Sequence, residues 1–148
     1  MNIIQHIDNF NIINLFFLDK KRNIVMNGSF TKIMYSVRDV SFLGMFFDFP
    51  IDGSIMGSKY YNFNIHENIE TITRIINIEK QILDYYKTIN EIDKNSVYVL
   101  KNNISQGHLK VYTKKEMKNK KYVLKISGVW ETTNEIGITY KLLECIHL

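Results

Sequence analysis

Alanine does not occur in this chain, and cysteine, proline and tryptophan occur once each. A lone cysteine, Cys145, excludes an internal disulfide and a multi-cysteine zinc site. Its apolar sequence neighbours suit a small buried hydrophobe, whereas a reactive thiol needs a setting that lowers its pKa. No apolar run reaches the roughly 18 residues that cross a bilayer. Met1 to Asp8 lack the basic patch and unbroken apolar block of a secretion signal. A soluble, intracellular protein without membrane contact is expected. The shortage of alanine goes with an excess of Ile, Asn, Lys and Tyr, as in the product of an AT-rich genome, so single Asn and Lys residues carry little meaning.

Patterns of catalytic chemistry are missing as well. His6, His66, His108 and His147 are scattered, and no two have metal-ligand spacing. Asp48 and Asp52 flank Pro50, but acids are ordinary turn residues. Glu131 and Glu135 bracket a hairpin loop, where solvated charge is expected. Ser, His and Asp are present without a nucleophile-elbow pattern. Catalytic residues, a cofactor and a metal are not expected, and the chain is not read as an enzyme.

What is present is hydrophobic and aromatic. With 148 residues, 45% hydrophobic and 13% aromatic, the chain is long and apolar enough to fold as a single domain, 1–148, with a real core. The net charge is +4, and its distribution matters more than its size: from Lys94 to Lys125 there are nine lysines and one acid, Glu116.

Ile3, Ile4, Ile7 and Phe10 have helical spacing, and Leu15 to Leu18 reads as a buried strand closed by the charged turn Asp19–Asn23. Asn27-Gly28 signals a turn. Phe30 to Val37 alternates, with Thr31, Ile33, Tyr35 and Val37 on one face. Ser41 to Ile51 reads as one long strand, with Leu43, Met45, Phe47, Phe49 and Ile51 on one face and Pro50 marking its end. Asp52–Gly57 is expected to be a loop, and Tyr60–Ile65 a short strand. A helix is predicted over about 67–89, with Asn64 or Asn68 as cap and a stripe of Ile69, Ile72, Ile75, Ile76, Ile82, Leu83, Tyr86 and Ile89. Ser96–Leu100 and Gly107–Thr113 read as strands, and Lys114–Lys121 as a charged loop.

The chain closes on Tyr122–Trp130 and Ile136–Leu143, two antiparallel strands across Glu131–Glu135. Leu124 and Ile126 share a parity with Gly128 and Trp130. Trp130 is therefore either buried at the sheet's end or displaced outward by a bulge at Gly128. The exposed faces are expected to offer Lys110, Tyr112, Lys125, Thr139 and Lys141, with Tyr35 or Lys32 from the earlier hairpin. Cations along the phosphates and flat side chains against the bases are what a single nucleic-acid strand requires. The expected interface is thus Lys32, Tyr35, Lys110, Tyr112, Lys114, Lys125, Trp130, Tyr140 and Lys141, tracking by the lysines and stacking on Tyr112, Trp130 or Tyr140.

Strands, one mid-chain helix, then closing strands is the order of an OB-like antiparallel barrel, an α+β and mostly β fold. Within that order, Lys121–Trp130 and Glu135–Leu143 resemble the closing strands of viral OB-fold single-stranded-DNA-binding proteins, those of phages and large DNA viruses. The resemblance covers about the last forty residues and the element order. It implies non-specific binding of single-stranded DNA or RNA in viral replication, recombination or repair, at the host cytoplasm or a viral replication site. Such proteins often end in an acidic tail, whereas this chain ends Leu143-Glu-Cys-Ile-His-Leu148. The alternative is a virion-associated structural or protein-interaction domain, a homo-oligomer or a partner of other viral proteins.

Overall fold

The computed structural model describes residues 4–23, 27–56, 59–112 and 120–146. In chain order its strands before the long helix are β1 (Ile4–Gln5), β2 (Leu15–Phe17), β3 (Lys21–Asn23), β4 (Gly28–Val37), β5 (Val40–Leu43), β6 (Met45–Asp48), β7 (Gly53–Met56) and β8 (Tyr60–Phe63). Helix α1 (Ile69–Asn90) follows, then β9 (Asn95–Ser96), the short helix α2 (Val99–Ile104), β10 (His108–Tyr112), β11 (Lys120–Glu131) and β12 (Glu135–Ile146). The fold is α+β and mostly β, with one long helix. The N-terminal helical spacing yields only two 3-10 turns, Ile7–Asn9 and Ile12–Asn14.

Helix α1 starts beyond a turn in which Asn64 accepts the Glu67 N–H at 3.0 Å. It ends at Glu91, whose left-handed backbone (φ 52°) turns its N–H back onto the Lys87 and Thr88 carbonyls. Its buried side is Ile72, Ile75, Ile78, Glu79, Ile82, Leu83 and Tyr86, while Ile69 and Ile89 at the ends of the expected stripe are each 50% exposed. Glu79 belongs inside because it caps α2: its carboxylate accepts the N–H groups of Leu100 and Lys101 at 2.8 and 2.9 Å. That cap lets Val99–Ile104 be a helix, so of the strand expected over Ser96–Leu100 only Ser96 is in a strand, β9.

The closing hairpin is the spine of a twelve-stranded sheet, β1-β6-β11-β12-β10-β8-β7 along its main path. One edge of β11 pairs with β12 along its length; the other pairs with β6 from Val123 to Ile126 and with β4 from Gly128 to Glu131. The change of partner coincides with a bulge between Ile126 and Gly128. The bulge switches parity: Leu124 and Ile126 face the core, then Val129 and Glu131, so Gly128 and Trp130 stand on the outer face.

Gly44 breaks the long strand expected over Ser41–Ile51. Its φ of +80° suits glycine alone, and its N–H bonds the Ile33 carbonyl at 2.8 Å. The chain there leaves β4 for β11, so Met45, Phe47, Phe49 and Ile51 are buried but Leu43, ahead of the break, is 55% exposed. Similarly, β2 buries only Leu15, with Phe16 and Leu18 at 48% and 39% exposed. Gly53–Met56, expected as a loop, pairs with β8 as strand β7. The inward faces and α1 share one apolar core that includes Ile33, Tyr35, Phe47, Ile82, Leu109 and Leu142. No helix among the described residues is long and apolar enough to cross a membrane.

Candidate nucleic-acid interface

Strand alternation sends Leu109 and Val111 of β10 inward, and so sends His108, Lys110 and Tyr112 outward. In β12 the same rule buries Leu142 and exposes Lys141. Because β10 runs parallel to β12, with Tyr112 beside Leu143, these outward residues meet on one surface. Tyr112 is 44% exposed, with the Lys110 ammonium 5.3 Å and the Lys141 ammonium 5.1 Å from its ring centre. One row further, Lys125 lies directly opposite Lys141 and holds its ammonium 5.4 Å from the Phe46 ring. Beyond β10, Tyr60 is 45% exposed and meets the His108 ring edge to face at 5.4 Å.

Lys110, Tyr112, Lys125 and Lys141 thus come together as the sequence suggested. Other expected members do not. Tyr35 is a core residue, 1% exposed; its hydroxyl accepts the Asn11 N–H at 2.9 Å and its ring stacks on Phe10. It shares the parity of Thr31 and Ile33, both buried, so it presents no face to a ligand. Tyr140 pairs with Ile126 on the inward side, half-buried, its hydroxyl accepting the Asn103 amide at 2.6 Å. Burial pushes its phenol pKa up, and it is a wall residue instead of an outer platform.

Trp130 does turn outward, but a Cβ on Gly137 would lie 2.3 Å from its indole, so the ring rests on that glycine. Across β11, Phe30 covers Gly128 in the same way, its ring 2.7 Å from where a Cβ would stand. Both aromatics are half-buried and fill the outer face in place of side chains that the glycines lack. Lys32, exposed, sits opposite Gly128 at this other end of the sheet, beside Phe30 and Lys21. Lys114 lies outside the described residues.

Sequence reading missed Glu131, expected as solvated loop charge. It is 8% exposed and accepts from Tyr86 at 2.7 Å and Lys94 at 2.6 Å, with Lys20 at 3.0 Å. Burial alone would raise its pKa, but the hydrogen bonds from Lys94, Tyr86 and Lys20 outweigh it and hold the carboxyl down at about 2. Its partners come from three distant segments, and only the parity switch at the bulge could have betrayed it. Among the described residues no three His, Cys, Asp or Glu side chains converge to hold a metal.

No protein-family model matches this chain, and no curated protein and no solved structure matches it.

Proposed function

We propose that this protein binds single-stranded nucleic acid, tolerant of sequence, along the outer face of β10, β12 and β11. The observation that carries this reading is Tyr112: an exposed ring between two lysines from two different strands. An exposed cation–π contact is worth about 0.5–1 kcal/mol, whereas a base on an aromatic ring is worth about 1–3 kcal/mol. A strand can therefore displace the ammonium groups from Tyr112 to its phosphates and put a base in their place with net gain. Lys125 extends the cationic row, and Tyr60 adds a second exposed ring.

The order of strands, helix and strands supports an OB-like arrangement as the finer fold, and the resemblance of the closing strands supports a role in viral replication, recombination or repair. The parallel pairs of β1 with β6 and β10 with β12 are additions that an OB barrel does not need.

The test is fluorescence anisotropy of a labelled oligothymidine strand titrated with protein. Micromolar affinity that weakens steeply with salt is expected, because neutralised phosphates release counterions. No salt-sensitive binding at micromolar protein sinks the reading. Trp130 quenching is a poor substitute, since its ring is already seated on Gly137.

One observation favours a second reading, a protein-interaction domain. Phe16, Met34 and Leu43 form a cross-strand apolar row on β2, β4 and β5, and among the described residues β5 pairs with β4 alone. A stable oligomer in light scattering that ignores oligonucleotides would favour it.

A further inference from the structure

Among the described residues, β10 and β12 pair as strands only at Val111–Tyr112 and Leu142–Leu143. Earlier, β10 follows β8 instead, with His108 to Lys110 facing Asn62 to Tyr60. At its other end β12 is held by β9 at Glu135 and Ile136. Between these two anchors, Gly137–Lys141 has no strand on that edge among the described residues, although its opposite edge is fully paired with β11. The strands splay, α2 closes the base of the gap, and a cleft of about 520 Å³ opens beside Tyr60, Gln106, His108, Tyr112, Thr139 and Tyr140.

The walls of this cleft carry unspent hydrogen-bonding capacity. An open strand edge presents backbone N–H and C=O groups that need partners. Asn103 donates its amide to the Tyr140 hydroxyl at 2.6 Å, which leaves the Asn103 carbonyl oxygen as an acceptor and the hydroxyl proton as a donor. Gln106 is exposed, and its side-chain amide makes no hydrogen bond among the described residues. At the mouth stand the two exposed rings, Tyr60 and Tyr112. The volume is within the usual range for small-ligand sites. Flat rings at the mouth with donors and acceptors inside are the means by which proteins read an unstacked base along its edge.

We infer that the β10–β12 cleft receives one unstacked nucleobase of the bound strand and reads its hydrogen-bonding edge through Gln106, Asn103 and the open edge of β12. The inference rests on the strand-binding reading above and adds base preference at one position to it.

The experiment compares labelled homopolymers of about twelve nucleotides, dT, dC and dA, by anisotropy at one salt concentration. The wild-type protein should separate the best from the worst by about tenfold, the scale of one edge-reading contact. In Q106A, and more fully in Q106A/N103A, that spread should shrink to within about threefold while the salt dependence stays as in wild type, because no phosphate contact is removed. Gln106 has no side-chain partner among the described residues, so Q106A keeps the test valid if the double variant fails to fold by circular dichroism. Equal affinity for all three homopolymers, or a spread untouched by Q106A, overturns the base pocket but leaves strand binding standing. Absence of salt-sensitive binding to every homopolymer overturns both.

Discussion

Lys125 and Lys141 face each other directly across the β11–β12 ladder, and their ammonium groups part to different rings, Phe46 and Tyr112. Like charges placed opposite in a sheet oppose folding by a few tenths of a kcal/mol. Threonine at either position keeps the strand and removes the repulsion. K125T or K141T should therefore melt at or slightly above the wild-type temperature. Each should also lower the slope of log affinity against log salt by about 0.7, the value for one phosphate contact on a single strand. Thermal melts and a salt titration check the two halves; a loss of several degrees would show the lysines to be structural.

Tyr112 and Tyr35 separate the surface role of tyrosine from its core role. Y112A should cost about 1–3 kcal/mol of oligonucleotide affinity, with a small change in stability. Y35A empties a fully buried site and should cost about 3–5 kcal/mol of folding free energy. Urea denaturation beside anisotropy tests both. Equal binding by Y112A and wild type would remove the stacking platform.

Glu131 makes stability depend on acid. Its carboxyl titrates at about 2 in the fold, against about 4.3 in an unfolded chain. A depressed carboxylate stabilises above the unfolded value, and that contribution is lost as pH falls through the folded one. About 2–3 kcal/mol should disappear between roughly pH 5 and pH 2. Glu79 works in the opposite sense, because burial raises its pKa and favours the protonated folded form. The difference between wild type and E131Q isolates Glu131, since Glu79 is common to both. E131Q should be destabilised by about 3 kcal/mol at neutral pH, where Lys94 and Lys20 lose their partner, and the gap should close in acid. Urea midpoints at pH 7 and pH 3 measure it.

Gly137 and Gly128 are seats for rings. A methyl group on Gly137 meets the Trp130 indole, and one on Gly128 meets the Thr31 carbonyl at 2.3 Å. G137A displaces a side chain, and G128A presses on backbone. Overpacking of this kind costs about 1–3 kcal/mol, with G128A the worse of the two. G137A should also shift Trp130 emission; unchanged emission would mean that the indole does not rest there.

Local chemistry was legible in the sequence and long-range register was not. The α1 stripe, the Asn27-Gly28 turn and the closing hairpin follow from spacing over a few residues, and the structure has all three, the stripe without its ends Ile69 and Ile89. The lysines and Tyr112 of the outer face followed from alternation in β10 and β12, which those strands keep. Alternation failed where a single residue changes the frame. Gly44 sits inside an unbroken period-2 pattern, so nothing local separated Leu43 from Met45. Tyr35 was misplaced because a tyrosine is as suited to a core as to a surface, and its parity with Ile33 was the better guide. Glu131 was unreadable for another reason: its charge is neutralised by Lys20, Tyr86 and Lys94, side chains that only tertiary folding gathers.

The bulge between Ile126 and Gly128 gives strand β11 two reading frames, one serving β6 and the other β4. Pairing straight through Ser127 would merge them at the wrong parity: Trp130 would turn into the core and Glu131 out toward water, exchanging the largest apolar side chain for a carboxylate already supplied with three donors. Removing Ser127 instead would take out the unpaired residue and leave Gly128 to Glu131 on the faces they hold. The unpaired place in the ladder, and not the serine that fills it, keeps those four residues the right way round.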